Sequence, residues 1–330
     1  MTPLFRRSIQ AVVATSLTFF MAGTAVAQAQ TYPNKPIRML IPNPPGGGTD
    51  VLGRILANSI SEQLGQPVVV DNRVGASGFV AADALLQAPA DGYTIFMLYS
   101  GIATVNPSLY KERIRYDPLK DFTPIAPFAE VPNVLVVNAE LPVNSVKELV
   151  DLARSKPGEL NHASSGNGVS NHLAMELFKQ MADLDIVHIP YKGDAPAITD
   201  LLGGQVDLMF VNLAGFGSHV DNPRVKVLAT ATGERLKSMP NLPTVAESGV
   251  DGYSMRLWYG LVAKAGTPPE IVAKLNEAVK VSFESEEVQR RLDGMSASPM
   301  IQTSEEFTAM IDHEIKTWAE VVTKGNIKVE

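Results

Sequence analysis

The chain has no cysteine. That excludes disulfides, and it excludes a lipid-bearing cysteine at the point where a leader would be cut. There is no basic excess either. The formal net charge is −7 and no basic stripe runs along the sequence, so a nucleic-acid partner is not expected. Beyond the N-terminal segment, no stretch approaches the roughly 18 unbroken apolar residues of a membrane span, and the mature chain is expected to stay out of the bilayer. The five histidines, His162, His172, His188, His219 and His313, form no H-E-x-x-H or other zinc spacing, and no metal is expected. "GGGTD" is followed by no Gly-Lys-Ser/Thr and contains no G-x-G-x-x-G, so no phosphate loop, dinucleotide or other cofactor is expected. A serine hydrolase would want G-x-S-x-G. "GASGF" around Ser77 has Phe79 where the last glycine should stand, so no catalytic residue is assigned and the chain reads as a non-enzyme.

What is present begins with a secretory leader. Residues 1–27 carry Arg6 and Arg7, then the apolar "AVVATSLTFFMAGTAVA", with small residues for cleavage after Ala27 or, in a second frame, after Ala29. The alternative, a retained anchor, has a core that is short and broken by Thr, Ser and Gly. Export without an anchor places the protein in the periplasm, where ATP and nicotinamide cofactors are scarce. Losing both arginines takes the net charge from −7 to −9.

The length of 330 residues suits two domains by the prior of ~150 residues each. With 45% hydrophobic and 19% charged residues the chain is globular. Apolar runs such as "IRMLI", "PVVVDN" and "YTIFMLYS" alternate with helical patterns such as "VLGRILANSISEQL", which implies a mostly parallel sheet. A proline-rich extended segment around residues 117–140 crosses to a second lobe with the same rhythm, and "LWYGLVAKAG" crosses back. Capping boxes are expected at Ser145/Glu148, Thr267/Glu270 and Thr303/Glu306, the last opening a long helix that stops near Gly325. The fold class is α/β, with two lobes, each a mostly parallel sheet flanked by helices. The boundaries are 28–130 plus 256–330 for the first and 131–255 for the second. A cleft between lobes is where small molecules bind.

Two loops share one design. "NPPGGGTD" and "ASSGNGVSNH" each follow a strand and open a helix. The first turn of a helix has unpartnered N–H groups and a partial positive charge, and glycine lets an anion reach them. Two such loops facing each other suit a small carboxylate. Each loop can also be read as a plain tight turn. Asp50 either caps its helix or accepts a hydrogen bond from a water that bridges to the ligand. Ser170 can be an N-cap, and His172 a surface residue of the first turn.

The stretches "YPNKPIRMLIPNPPGGGTD", "LGQPVVVDNRVGASG", "ADGYTIFML", "SSGNGVSNHLAMELF", "YKGDAPAITDLLGGQVDLMF", "LPTVAESG" and "WYGLVAKAGTP" together resemble the Bug family, the periplasmic solute-binding proteins of tripartite tricarboxylate transporters. The resemblance covers essentially the whole mature chain, in order. It implies a two-domain Venus-flytrap binding protein of type II-like fold, a small carboxylate ligand, and two membrane partners, one large and one small permease subunit. A monomer is expected. By the same resemblance, Gly46, Gly47, Gly48, Thr49 and Asp50 hold one carboxylate, and Ser165, Gly166, Asn167, Gly168, Ser170 and Asn171 approach from the other domain.

Three departures from the family pattern bear on the ligand. Asn43 stands where an aromatic residue is common, and either bonds the ligand or its own backbone. Asp194 stands where small neutral residues are common, and either faces the cleft, favouring an ammonium, or caps its helix. Val211 replaces a frequent Asp, leaving Asn212 as the nearby polar group. Trp258 and Tyr259 flank the cleft or belong to the core of the crossing strand. The reading from all this is capture by domain closure for delivery to a permease. The alternatives are a periplasmic subunit that senses the ligand for a membrane signalling protein, or a hydrolase using Ser77 or Ser165 with a histidine.

Overall fold

The computed structural model describes residues 32–46, 48–325 and 327. The leader and Gly47 lie outside the described residues. One compact body begins at Lys35.

Apolar runs without alternation become strands covered on both faces. β1 (Ile37–Ile41) and β3 (Thr94–Tyr99) are largely buried. With β2 (Val68–Asn72), β4 (Phe122–Val131), β10 (Leu257–Lys264) and β11 (Ser298–Pro299) they form a sheet of order β2-β1-β3-β10-β4-β11. A second sheet has order β7-β6-β8-β5-β9, from β5 (Asn133–Asn138), β6 (Asn161–Ser164), β7 (Val187–Pro190), β8 (Leu208–Asn212) and β9 (Val225–Thr230). In the first, β1, β2, β3 and β4 point one way and β10 and β11 the other. In the second, only β5 is reversed.

The two sheets therefore share a plan, and the reversed inner strand of each is the one delivered by the other. β4 ends at Val131, Pro132 intervenes, and β5 begins at Asn133. The chain comes back as β10, whose Leu257 pairs with Val131. The sheets are mixed because these crossing strands enter from the far side.

Helices cover the sheets: α1 (Gly48–Leu64), α2 (Phe79–Gln87), α3 (Asn106–Leu109), α4 (Val146–Ser155), α5 (Ser170–Ala182), α6 (Asp194–Leu202), α7 (Leu213–Phe216), α8 (Pro269–Ser282), α9 (Glu286–Gly294) and α10 (Ser304–Lys324). The capping box at Thr303/Glu306 is complete. At α4 the Ser145 hydroxyl accepts from the Glu148 N–H, while the Glu148 carboxylate takes the Asn144 N–H instead of that of Ser145. The box expected at Thr267/Glu270 does not form. α8 starts one residue later behind Pro268, and the Thr267 hydroxyl donates to the Lys264 carbonyl.

α10 is shared between the two halves. Phe307 and Ile311 pack in a core with Leu40, Phe96 and Trp258. Trp318, Val321 and Val322 pack in a core with Leu135, Leu173 and Phe210. Gly260 of β10 lets this helix seat, because a Cβ there would lie 2.6 Å from the Phe307 ring and 2.9 Å from the Ala126 carbonyl oxygen. Backbone cannot yield as a flexible side chain does, so Gly260→Ala should lower stability by about 1–3 kcal/mol in urea unfolding. An unchanged midpoint would show that the β10–α10 contact is looser than described.

Candidate functional site

Where the two halves face each other lies a cavity of about 280 Å³. α1 contributes Gly48 and Thr49, and the loop from β6 to α5 contributes Asn167, Gly168, Val169 and Ser170. The amino ends of one helix from each half thus open on the same space. Each end brings unpartnered first-turn N–H groups and the positive pole of the helix. Among the described residues, the N–H groups of Asn167, Val169 and Ser170 make no hydrogen bond within the chain.

The other walls are Asn43, Ser77, Ser100, Asn106, Tyr99, Tyr110 and Tyr259, with an apolar part from Val105, Leu173, Met255, Leu257 and Trp318. No Lys, Arg, His, Asp or Glu is among the described lining residues. Tyr99 and Tyr259 are directly opposite on β3 and β10. Burial, reinforced by Tyr110, pushes the Tyr99 hydroxyl up to about 12, and burial pushes Tyr259 higher still, so both remain neutral donors at neutral pH.

Several residues expected to touch a ligand stand one layer behind it. Asp50 is only 2% exposed. Its carboxylate accepts from the Gly46 N–H at 2.9 Å, Arg54 Nε at 2.9 Å and Asn72 Nδ2 at 2.8 Å. Asn72 Nδ2 also donates to the Asn43 carbonyl at 2.9 Å. Burial alone would raise the Asp50 carboxyl, but these hydrogen bonds from Arg54, Asn72 and Gly46 outweigh it and hold it below the usual range. Asp50 ties the first loop to β2. Gly46 supplies a left-handed turn with φ +85°, which glycine adopts freely.

The second loop has a matching knot. Ser165 donates from its N–H to Asn171 Oδ1 at 3.1 Å and from its hydroxyl to Asp194 Oδ1 at 2.6 Å, which also accepts from Asn171 Nδ2 at 3.0 Å. Asp194 therefore neither lines the described cavity nor caps its helix by a side-chain bond; the N-cap of α6 is Gly193. Gly166, at φ +145°, is held instead by the Ser164 hydroxyl, at 2.9 Å from its carbonyl and 3.2 Å from its N–H. Asn212 is an N-cap, accepting from the Ala214 N–H at 3.0 Å. Val169, not Ser170, is the N-cap of α5. Asn43 lines the cavity, and its side-chain oxygen is buried without a partner. Trp258 is fully buried and donates to Glu314 at 2.8 Å, so only Tyr259 of that pair reaches the cavity. Tyr99, Ser100, Asn106, Tyr110, Met255 and Trp318 carry no sequence expectation, and Ser77, weighed only as a nucleophile, lines the cavity too. Tyr99 ends β3 and Ser100 follows it, at the carboxyl end of a parallel strand, a place where α/β sheets bind ligands and a usable signal.

Neither serine weighed as a nucleophile contacts a histidine. Ser77 donates to the Tyr110 hydroxyl at 2.8 Å, and Ser165 is engaged as above. Ser164 does meet His188 Nε2, at 2.6 Å, but is fully buried.

Residues 52–327 match the tripartite tricarboxylate transporter family receptor. The chain belongs to this family. The receptor is 36% identical to Protein BugT of Bordetella pertussis over 94% of this chain and 96% of that one. Among solved structures, R. palustris Rpa4515 with adipate is 38% identical with a TM-score of 0.76, covering 90% of this chain and 99% of that one. MatC (Rpa3494) from Rhodopseudomonas palustris with bound malate is 30% identical with a TM-score of 0.72, covering 88% and 100%. The receptor is accordingly a solute-binding protein of the periplasmic type and not an enzyme, with the two-domain α/β fold of that class. No helix among its described residues is long and apolar enough to cross a membrane.

Beneath the second loop lies a stack of histidines. His188 packs on His172 with centroids 3.9 Å apart and on His162 at 4.8 Å. Among the described residues, no His, Asp and Glu groups converge as metal ligands. Burial lowers His162, lowers His172 to about 4 and lowers His188 to about 3. Burial opposes the nearby Glu176 carboxylate, yet His162 and Lys179 hold it down to about 2.

Asp50→Ala leaves its donors without an acceptor and should cost about 1–3 kcal/mol in chemical denaturation; no loss would mean the first loop is held by other bonds. The histidines are neutral when folded and titrate near 6.5 when unfolded. Unfolding therefore takes up protons, and stability falls as pH drops from 6.5 towards about 4. His162 and His172 should each steepen that fall by up to about 1.4 kcal/mol per pH unit. Glu176 adds a further loss below 4.5. Unfolding titrations at several pH values read the slope, and a flat profile between 6.5 and 4.5 would contradict buried neutral rings.

Proposed function

We propose that the receptor captures a small organic carboxylate in the cavity and hands it to a membrane permease of one large and one small subunit. The observation that carries this reading is that two helix amino ends, one from each half, open on one cavity without a charged side chain. An anion there is met by N–H groups and hydroxyls rather than by a cation. Adipate and malate in the two related structures are both small carboxylates, which supports the ligand class.

The domain boundaries we propose are 28–130 with 256–330, and 131–255, after removal of a leader ending at residue 27. The hinge then lies at Pro132, the single residue between β4 and β5, and at Arg256, immediately before β10. A ligand that touches both helix ends only in the closed state shifts the population to that state. The net charge of −9 after leader removal opposes long-range steering of an anion. Affinity then comes from short-range bonds in a closed cleft, each charge-assisted one worth roughly 1.5–3 kcal/mol. Several suffice for micromolar binding, about −8.2 kcal/mol, after ordering costs.

Thermal-shift and calorimetric screens against C4–C6 dicarboxylates, citrate, acidic amino acids and aromatic acids should yield a ligand. At 100 times its Kd it should stabilise the fold by ~2.7 kcal/mol and compact the protein in small-angle scattering. Gly48→Val, which points a branched side chain at the Tyr259 hydroxyl, should abolish the shift. No hit across the panel would sink the carboxylate assignment, and binding without compaction would sink the closure mechanism. Uptake that survives deletion of the gene would replace the permease with a signalling partner.

A further inference from the structure

We propose that His172 is the positioning residue of the second glycine loop: as a neutral ring protonated on Nε2, it draws the Gly168 N–H away from the cavity side and so selects which loop N–H groups a ligand meets. The Gly168 N–H donates to His172 Nδ1 at 2.9 Å. That nitrogen must carry a lone pair, which puts the ring proton on Nε2. Nε2 lies 3.9 Å from Glu176 Oε1, and the same oxygen takes Lys179 Nζ at 2.6 Å. At 3.9 Å the carboxylate makes no hydrogen bond to the ring, and its charge alone favours a proton on Nε2, the nitrogen that faces it. The loop N–H groups left unspent are those of Asn167, Val169 and Ser170.

The rest of the stack serves the same loop. His188 lies on His172 with an interplanar angle of 10°. It meets the Ser164 hydroxyl, which contacts the Gly166 carbonyl at 2.9 Å and the Gly166 N–H at 3.2 Å. One ring thus holds Gly168 directly and the next holds Gly166 through Ser164. His162, fully buried on β6, points Nε2 at Glu176 from 3.8 Å. The titratable and charged groups that face His172 are Glu176 and Lys179 on α5, His162 on β6 and His188 on β7. A proton added to His172 turns its acceptor into a donor, sets it against the Gly168 N–H, and forces the loop to move. Acid would then empty the site.

The functional meaning rests on the reading that this loop receives the ligand, but the test needs none. In 15N-labelled unligated protein, NMR should show His172 as the Nε2–H tautomer. The Gly168 amide should exchange at least about tenfold more slowly, relative to unstructured rates, than those of Asn167 and Val169. Its shift should titrate together with the His172 ring, with a midpoint of about 4. His172→Phe should erase the protection of Gly168, and His172→Asn, which offers an oxygen near the position of Nδ1, should restore most of it. An Nδ1–H tautomer, fast exchange at Gly168 in the wild type, or protection surviving in a folded His172→Phe protein would overturn the proposal. Should His172→Phe not fold, the tautomer and the shared titration in the wild type decide. A failure of carboxylate capture leaves all of these readouts unchanged.

Discussion

The arrangement depends on the pairing of two crossing strands. β4 runs out of one sheet and, after Pro132, becomes β5 of the other. β10 returns beside it and lies between β3 and β4. Each sheet thus receives its reversed inner strand from its partner, and neither is complete without the other. Because β1 and β6 end at the shared face, the helices that follow them start there. The binding geometry is therefore a consequence of topology: two helix amino ends meet because two strand ends do.

Both glycine loops are organised on two levels. The groups at the cavity are small or uncharged: Gly48, Thr49, Asn167 and Ser170. The charged groups stand behind them. Asp50 gathers Gly46, Arg54 and Asn72, and Asp194 gathers Ser165 and Asn171. A carboxylate at the cavity would repel an anionic ligand, whereas one buried behind the loop spends its charge on the loop's own donors. The histidine stack is a third such support, with neutral rings in a place where a cation would be too poorly solvated.

This division explains which parts of the site could be read in the residues. "PGGGTD" and "SSGNGVSNH" gave away their place between strand and helix, because glycine at such a turn has few other uses. Which member faces the ligand was not legible. Asp50 and Asn171 are polar residues in the first turns of α1 and α5, and their direction depends on whether Asn72 and Asp194, farther along the chain, come close enough to bond them. The burial of His172 was not legible either, because the rings packed on it, His162 and His188, come from separate strands. The walls formed by Tyr110 and Trp318 were hidden, since one follows α3 and the other lies within α10, both far in sequence from either glycine loop.

The sequence by itself determined the alternation of strands and helices, the double crossing, the two glycine turns and the family, because each is written in local periodicity, turn chemistry and contiguous motifs. Tertiary structure alone decided the reversed strands, the sharing of α10 between both cores, the withdrawal of Asp50 and Asp194 from the cavity, and the burial of His162 and His172. Those outcomes turn on contacts between residues dozens to hundreds of positions apart, and no local pattern encodes where such partners meet.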